Sequence, residues 1–267
     1  MKRTLFLLFF AVFLSVCNSA FAQIFLEDGK VVLSVKPDEK IAKTVTVHNT
    51  SNQPIKLRAY WEDFLYEPPF DGSKKFLPAA TTLFSLARWA SFIPKEFELP
   101  PFGKQKVEYV IGVPHNIKGG HYGVLFFENL SSQTANNETG VNIVTRVGCL
   151  FFLEPEDKSK KAVIGDLSFT ASSLEGLFKN EGDVILIPQG TFYIMDSQGV
   201  AVDRGELKKL YLPPGERGKF GLDLKKNFPK GRYTVVLTFD VQEGGVLVKE
   251  IDFQKTATDI RIIAVRD

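Results

Sequence analysis

The residues that could do chemistry in this chain are few and scattered. Its three histidines, His48, His115 and His121, have no second histidine or cysteine at metal-ligand spacing. Glu62/Asp63 and Glu154/Glu156 are the acidic pairs a hydrolase would need. One opens a loop-like stretch and the other sits in a charged linker, where carboxylates serve as solvated surface. Neither a Gly-x-Ser-x-Gly elbow nor a phosphate-binding glycine loop occurs. No metal, cofactor or catalytic residue is expected, and the chain reads as a non-enzyme. Its binding chemistry concentrates between Glu62 and Ala90. That segment holds Phe64, Tyr66, Phe70, Phe76, Phe84 and Trp89, with Trp61 just ahead, among Asp63, Glu67, Asp71 and Arg88. Aromatic faces with polar neighbours suit a glycan or a peptide. Trp61, Asp63, Tyr66, Phe70, Arg88 and Trp89 are therefore candidate ligand contacts. The same rings could instead cover the edge or fill the end of a β-sandwich, and the two tryptophans suit a core.

The elements that must position these residues are strands. Val31 to Val35, Thr44 to His48, Ile55 to Tyr60, Lys106 to Val113 and Tyr122 to Phe127 are rich in β-branched and alternating residues and are bounded by turn formers. Val141 to Leu153 carries apolar residues on both parities, as a strand buried on both faces does. Ala79 to Trp89 is the best candidate for one short helix. In the second half, Ala162 to Ala171, Lys208 to Leu212, Gly218 to Leu224, Tyr233 to Val241, Val246 to Phe253 and Ile260 to Val265 read as strands. Gly190 to Val200 reads as a hairpin turning on Asp196 to Gly199.

The two halves share a pattern. Leu99-Pro100-Pro101-Phe102-Gly103 precedes Gly120-His121-Tyr122-Gly123-Val124, and Leu212-Pro213-Pro214-Gly215 precedes Gly231-Arg232-Tyr233-Thr234-Val235. The Leu-Pro-Pro elements lie 113 residues apart and the tyrosines 111, about the length of one sandwich domain. Every repeated residue has a turn or core job, and Tyr122 and Tyr233 are candidates for a tyrosine whose hydroxyl bonds to nearby backbone. An Asn turn begins each half, at Asn49 and Asn180. It lies 50 residues before Leu-Pro-Pro in the first copy and 32 in the second, so the first carries an insertion of 18 residues within 62–90. The fold expected is all-β: two tandem Ig-like β-sandwiches at 23–155 and 162–267, joined by a charged linker at 156–161.

Residues 1–22 read as a cleaved secretory signal. Lys2 and Arg3 precede the apolar run Leu5 to Val16, and Ala20-Phe21-Ala22 is the small-residue cleavage pattern. Cys17 offers a lipid-attachment alternative, although Val16 is bulky for that signal. Without the leader the 33 basic residues fall to 31, equal to the 31 acidic ones. A neutral chain provides no general field for nucleic acid, and no second apolar segment calls for a membrane span. Cys149 is then a lone thiol that suits a buried apolar position.

Val35-Lys36-Pro37-Asp38, Val45-Thr46-Val47-His48-Asn49, Trp89, Val113-Pro114 and Gly120-His121-Tyr122-Gly123-Val124 together resemble a bacterial cell-surface family. This is the Ig-like "WxL-interacting protein, peptidoglycan-binding domain" family, itself similar to the N-terminal half of periplasmic pilus chaperones. The second half, from Phe178-Lys179-Asn180-Glu181-Gly182 through Asp196-Ser197-Gln198-Gly199, is similar to the Ig-like domain that follows in those proteins. The resemblance implies an exported, non-enzymatic protein of the periplasm or cell surface that binds an envelope glycan, such as peptidoglycan, or an envelope protein. The alternative it implies is a chaperone that lends a strand to unfolded pilus subunits, using an exposed strand and an Arg/Lys pair. Arg146 lies in the right strand for that pair. The exposed strand would be Val141 to Leu153 or Val31 to Val35.

Overall fold

The computed structural model describes residues 23–131, 144–170, 172–224 and 229–267. Alternation of apolar and polar side chains drives the architecture, because period-two segments bury one face only when paired edge to edge. In chain order the first half forms β1 (Ile24–Leu26), β2 (Lys30–Val35), β3 (Lys40–Asn49), β4 (Ile55–Tyr66) and β5 (Lys74–Pro78). Then follow β6 (Ala90–Ile93), β7 (Glu96–Leu99), β8 (Lys104–Gly112), β9 (His121–Asn129) and β10 (Arg146–Pro155). The second half forms β11 (Ala162–Phe169), β12 (Ser173–Asn180), β13 (Gln189–Asp196), β14 (Ala201–Glu206), β15 (Arg217–Asp223), β16 (Gly231–Asp240), β17 (Val246–Lys255) and β18 (Ile260–Arg266). Each half is a pair of sheets, as an Ig-like sandwich requires.

In the first sandwich a four-stranded sheet, β1-β3-β8-β6, faces a larger one ordered β2-β10-β9-β4-β5, with β7 also on β4. The pairings are antiparallel except that β2 runs parallel to β10, from Lys30 opposite Leu150 to Val35 opposite Pro155. Between the sheets lie Leu57, Tyr109, Ile111, Phe127, Phe151 and Leu153, each almost fully buried. Every such side chain contributes roughly 1.5–3 kcal/mol by leaving water. Cys149 sits among them, and burial pushes its thiol up to about 12, so it behaves as a small apolar side chain. In the second sandwich β11-β12-β15 faces β14-β13-β16-β17-β18.

The repeated landmarks are parts of one clamp in each half. The buried Asn49 amide donates to the carbonyls of Gln53 and Pro100, and its Oδ1 accepts from the Ser51 backbone N–H. Asn180 donates to Val184 and Leu212 at 2.8 Å each, and its Oδ1 accepts from the Gly182 N–H. The Asn turn and the Leu-Pro-Pro element are thus hydrogen-bonded to one another. The copies differ one residue later. Gly215 has φ 81°, a left-handed conformation that glycine adopts without strain, whereas the matching Phe102 is held at φ 56°. For a side chain with a Cβ that conformation costs about 1 kcal/mol.

Several elements differ from the sequence-based expectation. Ala79–Trp89 is not a helix but a chain of turns with a bridge from Ser85 to Tyr122. The backbone N–H groups of Ala80, Thr81 and Thr82, which a helix would leave open at its first turn, are taken by the Asp63 carboxylate. Lys208–Leu212 is not a strand either; only Leu212 bridges, to Leu186. Of the long strand expected over Val141–Leu153, residues 141–143 lie outside those described, Val144 and Thr145 are irregular, and pairing starts at Arg146. The strand expected over Ile55–Tyr60 runs on to Tyr66, so part of the insertion lengthens β4 and builds the β4–β5 hairpin.

The clamp predicts that Asn180→Ala, which leaves the Val184 and Leu212 carbonyls and the Gly182 N–H without their partner, lowers stability by roughly 2 kcal/mol in urea titrations. Asn180→Asp, which keeps the acceptor but loses both donated bonds, should restore only the Gly182 contact and recover less than half.

Candidate functional site: the cleft between the sandwiches

Alternation that buries one face of the larger first-half sheet turns the other outward. That outer face carries Tyr60, Glu62, Phe64 and Tyr66 from β4, Tyr122, Val124 and Phe126 from β9, and Leu150, Phe152 and Glu154 from β10. Lys30, Val32 and Ser34 extend it on β2. So many aromatic rings cannot remain in water. Phe64, Tyr66, Tyr122, Val124 and Phe152 join the same buried cluster as Ile185, Leu186, Leu212 and Phe239 of the second sandwich. The second half covers part of the first, and one apolar cluster crosses the junction.

Directed bonds set the junction. The Ile185 N–H donates to the Tyr122 hydroxyl at 2.7 Å, and the Gly120 N–H to the Asp183 carbonyl at 2.8 Å. Burial pushes the Tyr122 phenol far above its ordinary range. A Cβ on Gly119 would stand 2.5 Å from the Asp183 carbonyl oxygen, so the close approach requires glycine there. Asp183 also accepts from the Ser159 N–H in the linker at 2.7 Å. The sequence repeat predicted that both tyrosines bond to nearby backbone. Tyr233 does so, donating to the Pro229 carbonyl at 3.2 Å, but Tyr122 reaches across to the other sandwich. The tip of the insertion makes the second tie. The Tyr211 N–H donates to the Phe70 carbonyl at 2.9 Å, and the Tyr66 and Tyr211 rings lie 5.0 Å apart.

Where the sheets diverge, a cleft of about 380 Å³ opens, lined by Lys30, Val32, Ser34, Phe152 and Glu154 of the first half and Ile185–Ile187 and Val241–Glu243 of the second. Lys158 and Lys160 of the linker stand in it, their side chains only 11% exposed. Glu243 lies 3.0 Å from Lys158 and 3.1 Å from Lys160, and Glu154 lies 3.6 and 3.9 Å from them. Burial alone would lower the Lys158 ammonium, but Glu243 and Glu154 hold it above its ordinary value. Glu243 is held below its own by hydrogen bonds from both lysines. Lys30 has no place in this square of charges; its ammonium lies 4.4 Å from the centroid of the Phe152 ring. Lys158 and Lys160 of the charged linker, and Glu154 near the end of β10, are nearly buried rather than the solvated surface expected of that segment.

The cleft also contains an open strand edge. β2 pairs with β10 on one side, and among the described residues no strand pairs with its other side. Likewise Arg146–Cys149, the first half of β10, pairs among the described residues only with β9. Val32 projects from β2 at 56% exposure.

The residues expected from the sequence to contact a ligand lie elsewhere and apart. Trp61 is in the first core, edge-on to Phe151 at 4.9 Å. Asp63 is fully buried and accepts five hydrogen bonds, from the N–H groups of Ala80, Thr81 and Thr82 and the hydroxyls of Thr82 and Ser85. Tyr66 and Phe70 are buried at the junction. Arg88 donates to the carbonyls of Ala80 and Thr82, bracing the same turns. Trp89 is half-buried against His121, the ring centroids 4.3 Å apart, where burial lowers the imidazole. Arg146 is outside the cleft. Its guanidinium sits 3.9 Å over the Phe126 ring and donates to Glu62 at 2.8 Å and to the Tyr60 hydroxyl at 3.1 Å. Of the cleft residues, Lys30 and Val32 border or lie in Val31–Val35, one of the two strands expected to be exposed, whereas Lys158, Lys160 and Glu243 were not singled out. The alternation of Lys30 to Val35 was the available signal for the first two; nothing local marks the others, since the fold brings them together from three segments.

No protein-family model matches the chain, and no curated protein matches it by sequence. Solved structures do match its fold. A chain of the chaperone–tip adhesin complex of CFA/I fimbriae biogenesis is 14% identical, with a TM-score of 0.50, over 85% of this chain and 98% of the other. The class 5 fimbriae chaperone CfaA is 14% identical, with a TM-score of 0.51, over 84% of this chain and 97% of its own. The protein therefore has the two-domain fold of pilus chaperones. The surface-family name suggested by the sequence motifs finds no match; the likeness is to the chaperone side of that resemblance.

The junction predicts different outcomes for the two matching tyrosines. Tyr122→Phe, which leaves the Ile185 N–H unpaired, should cost about 1 kcal/mol and speed proteolysis of the linker at 156–161. Tyr233→Phe should cost a similar amount while leaving linker cleavage unchanged.

Proposed function

We propose that this protein is an exported chaperone that holds an extended segment of another polypeptide against the open edge of its first sandwich, beside the interdomain cleft. The observation that carries this reading is β2: among the described residues it is paired on one side only, and its outward residues Lys30, Val32 and Ser34 line the cleft. An unpaired edge offers a row of N–H and C=O groups that a partner strand can satisfy, while pockets beside it select alternate side chains. Val32 and Phe152 supply the apolar contact, and the Lys30 ammonium suits a carboxylate of the bound segment.

The fold shared with a fimbriae chaperone supports this over the peptidoglycan-binding reading. So does the burial of Trp61, Tyr66 and Phe70, which takes three of the aromatic rings offered as ligand contacts out of reach of a glycan. The partner class is a secreted β-protein subunit that lacks a strand of its own. The working compartment is the periplasm, reached through the leader at residues 1–22.

The test is suppression of aggregation of a denatured fimbrial subunit. Val32→Asp puts a charge on a half-exposed position, so the fold should survive, and suppression should weaken about tenfold. Val200→Asp, at a position of similar exposure (57%) in the β13–β14 turn, should leave it intact. Equal suppression by both variants would overturn the assignment of β2.

A further inference from the structure

The far tip of the first sandwich, at the opposite end from the cleft, holds an aromatic group that the fold does not need. Phe102 occupies the turn position where the second copy has Gly215. It keeps a left-handed φ of 56° and leaves its ring 71% exposed. A bulky residue held in a strained conformation with no burial in return points to a contact outside the chain. Phe25, 55% exposed, stands opposite His48 on β3, and His48 stands opposite Lys104 on β8, two residues beyond Phe102. Lys104 and Lys106 are exposed on the same outward row. The adjacent acid, Glu27, is engaged by His48 at 2.7 Å. The tip therefore presents two phenylalanines beside Lys104, Lys106 and the Glu27–His48 pair.

The chain's own course names the occupant. Gln23 is fastened at this tip. Its carbonyl accepts from the Thr50 N–H at 2.9 Å, and its side-chain oxygen accepts from the Asn129 amide at 2.9 Å. The 22 residues before Gln23 include the apolar run Leu5 to Val16. While the leader remains attached, six residues separate Val16, the end of that run, from Gln23 at this tip. Aromatic rings settle at the headgroup level of a bilayer, and lysines on long stems reach anionic headgroups.

We propose that this tip docks on an anionic lipid surface, with Phe102 and Phe25 entering the headgroup region and Lys104 and Lys106 meeting lipid phosphates. The inference is independent of strand capture at β2.

Full-length F102W reports the contact directly, with wild type, whose Trp61 and Trp89 are at least half-buried, as background. With vesicles of equal parts phosphatidylcholine and phosphatidylglycerol, brominated acyl chains should quench the added emission, and raised salt should relieve the quenching. F102G should keep its melting temperature or raise it, because glycine accepts the backbone conformation, while binding these vesicles about fivefold more weakly. Flotation with vesicles but no quenching of F102W would mean that the leader binds alone and would overturn the proposal. Emission unmoved by vesicles but shifted by an envelope protein fraction would assign the tip to a protein pocket and overturn it equally.

Discussion

The outer face of the larger sheet in the first sandwich is aromatic, and the rest of the molecule follows from the need to cover it. Phe64, Tyr66, Tyr122 and Phe152 would place several hundred square ångströms of ring in water if the two halves were independent domains on a flexible linker. Instead they share one buried cluster with the second sandwich. Apolar contact alone would allow the halves to slide. The Tyr122 hydroxyl, the Gly120 N–H and the Phe70 carbonyl supply fixed partners, so burial provides the driving force and three hydrogen bonds set the angle.

That division of labour explains the insertion. It lengthens β4, turns at residues 67–73 and returns as β5, which brings Phe70 and Gly72 against Tyr211. Its aromatic richness is the composition of a brace between domains. Asp63 and Arg88, polar residues that resembled ligand contacts, hold the turns that follow β5. The covering is incomplete at the β2 side, and there the cleft, the unpaired strand edge and the Lys30 ammonium coincide. The site proposed for another chain lies where the second sandwich stops covering the first.

Much of the fold was legible in the residues. Alternation located most strands, and the doubled Leu-Pro-Pro and Gly-x-Tyr elements placed two similar sandwiches in register, because turn and core positions obey local rules. What local pattern could not supply was long-range choice. Tyr122 and Tyr233 are alike in their neighbours, yet one bonds four residues back and the other crosses to Ile185. Ala79–Trp89 has helical spacing, but the buried Asp63 carboxylate captures the N–H groups at its start. Lys158 and Lys160 read as solvated because their partners, Glu154 and Glu243, come from opposite sandwiches. Tyr66, offered as a ligand contact, is enclosed at the junction for the same reason, whereas Trp61, which also suited a core, lies in one.

The most direct measurement of strand capture at the cleft is amide hydrogen exchange across the first sandwich, with and without a denatured fimbrial subunit. Strand addition predicts that amides of Lys30–Val35 gain protection on binding, while those of β5 and β6, at other sheet edges, do not change. Unchanged exchange in β2, with protection gained at another edge instead, would contradict the account.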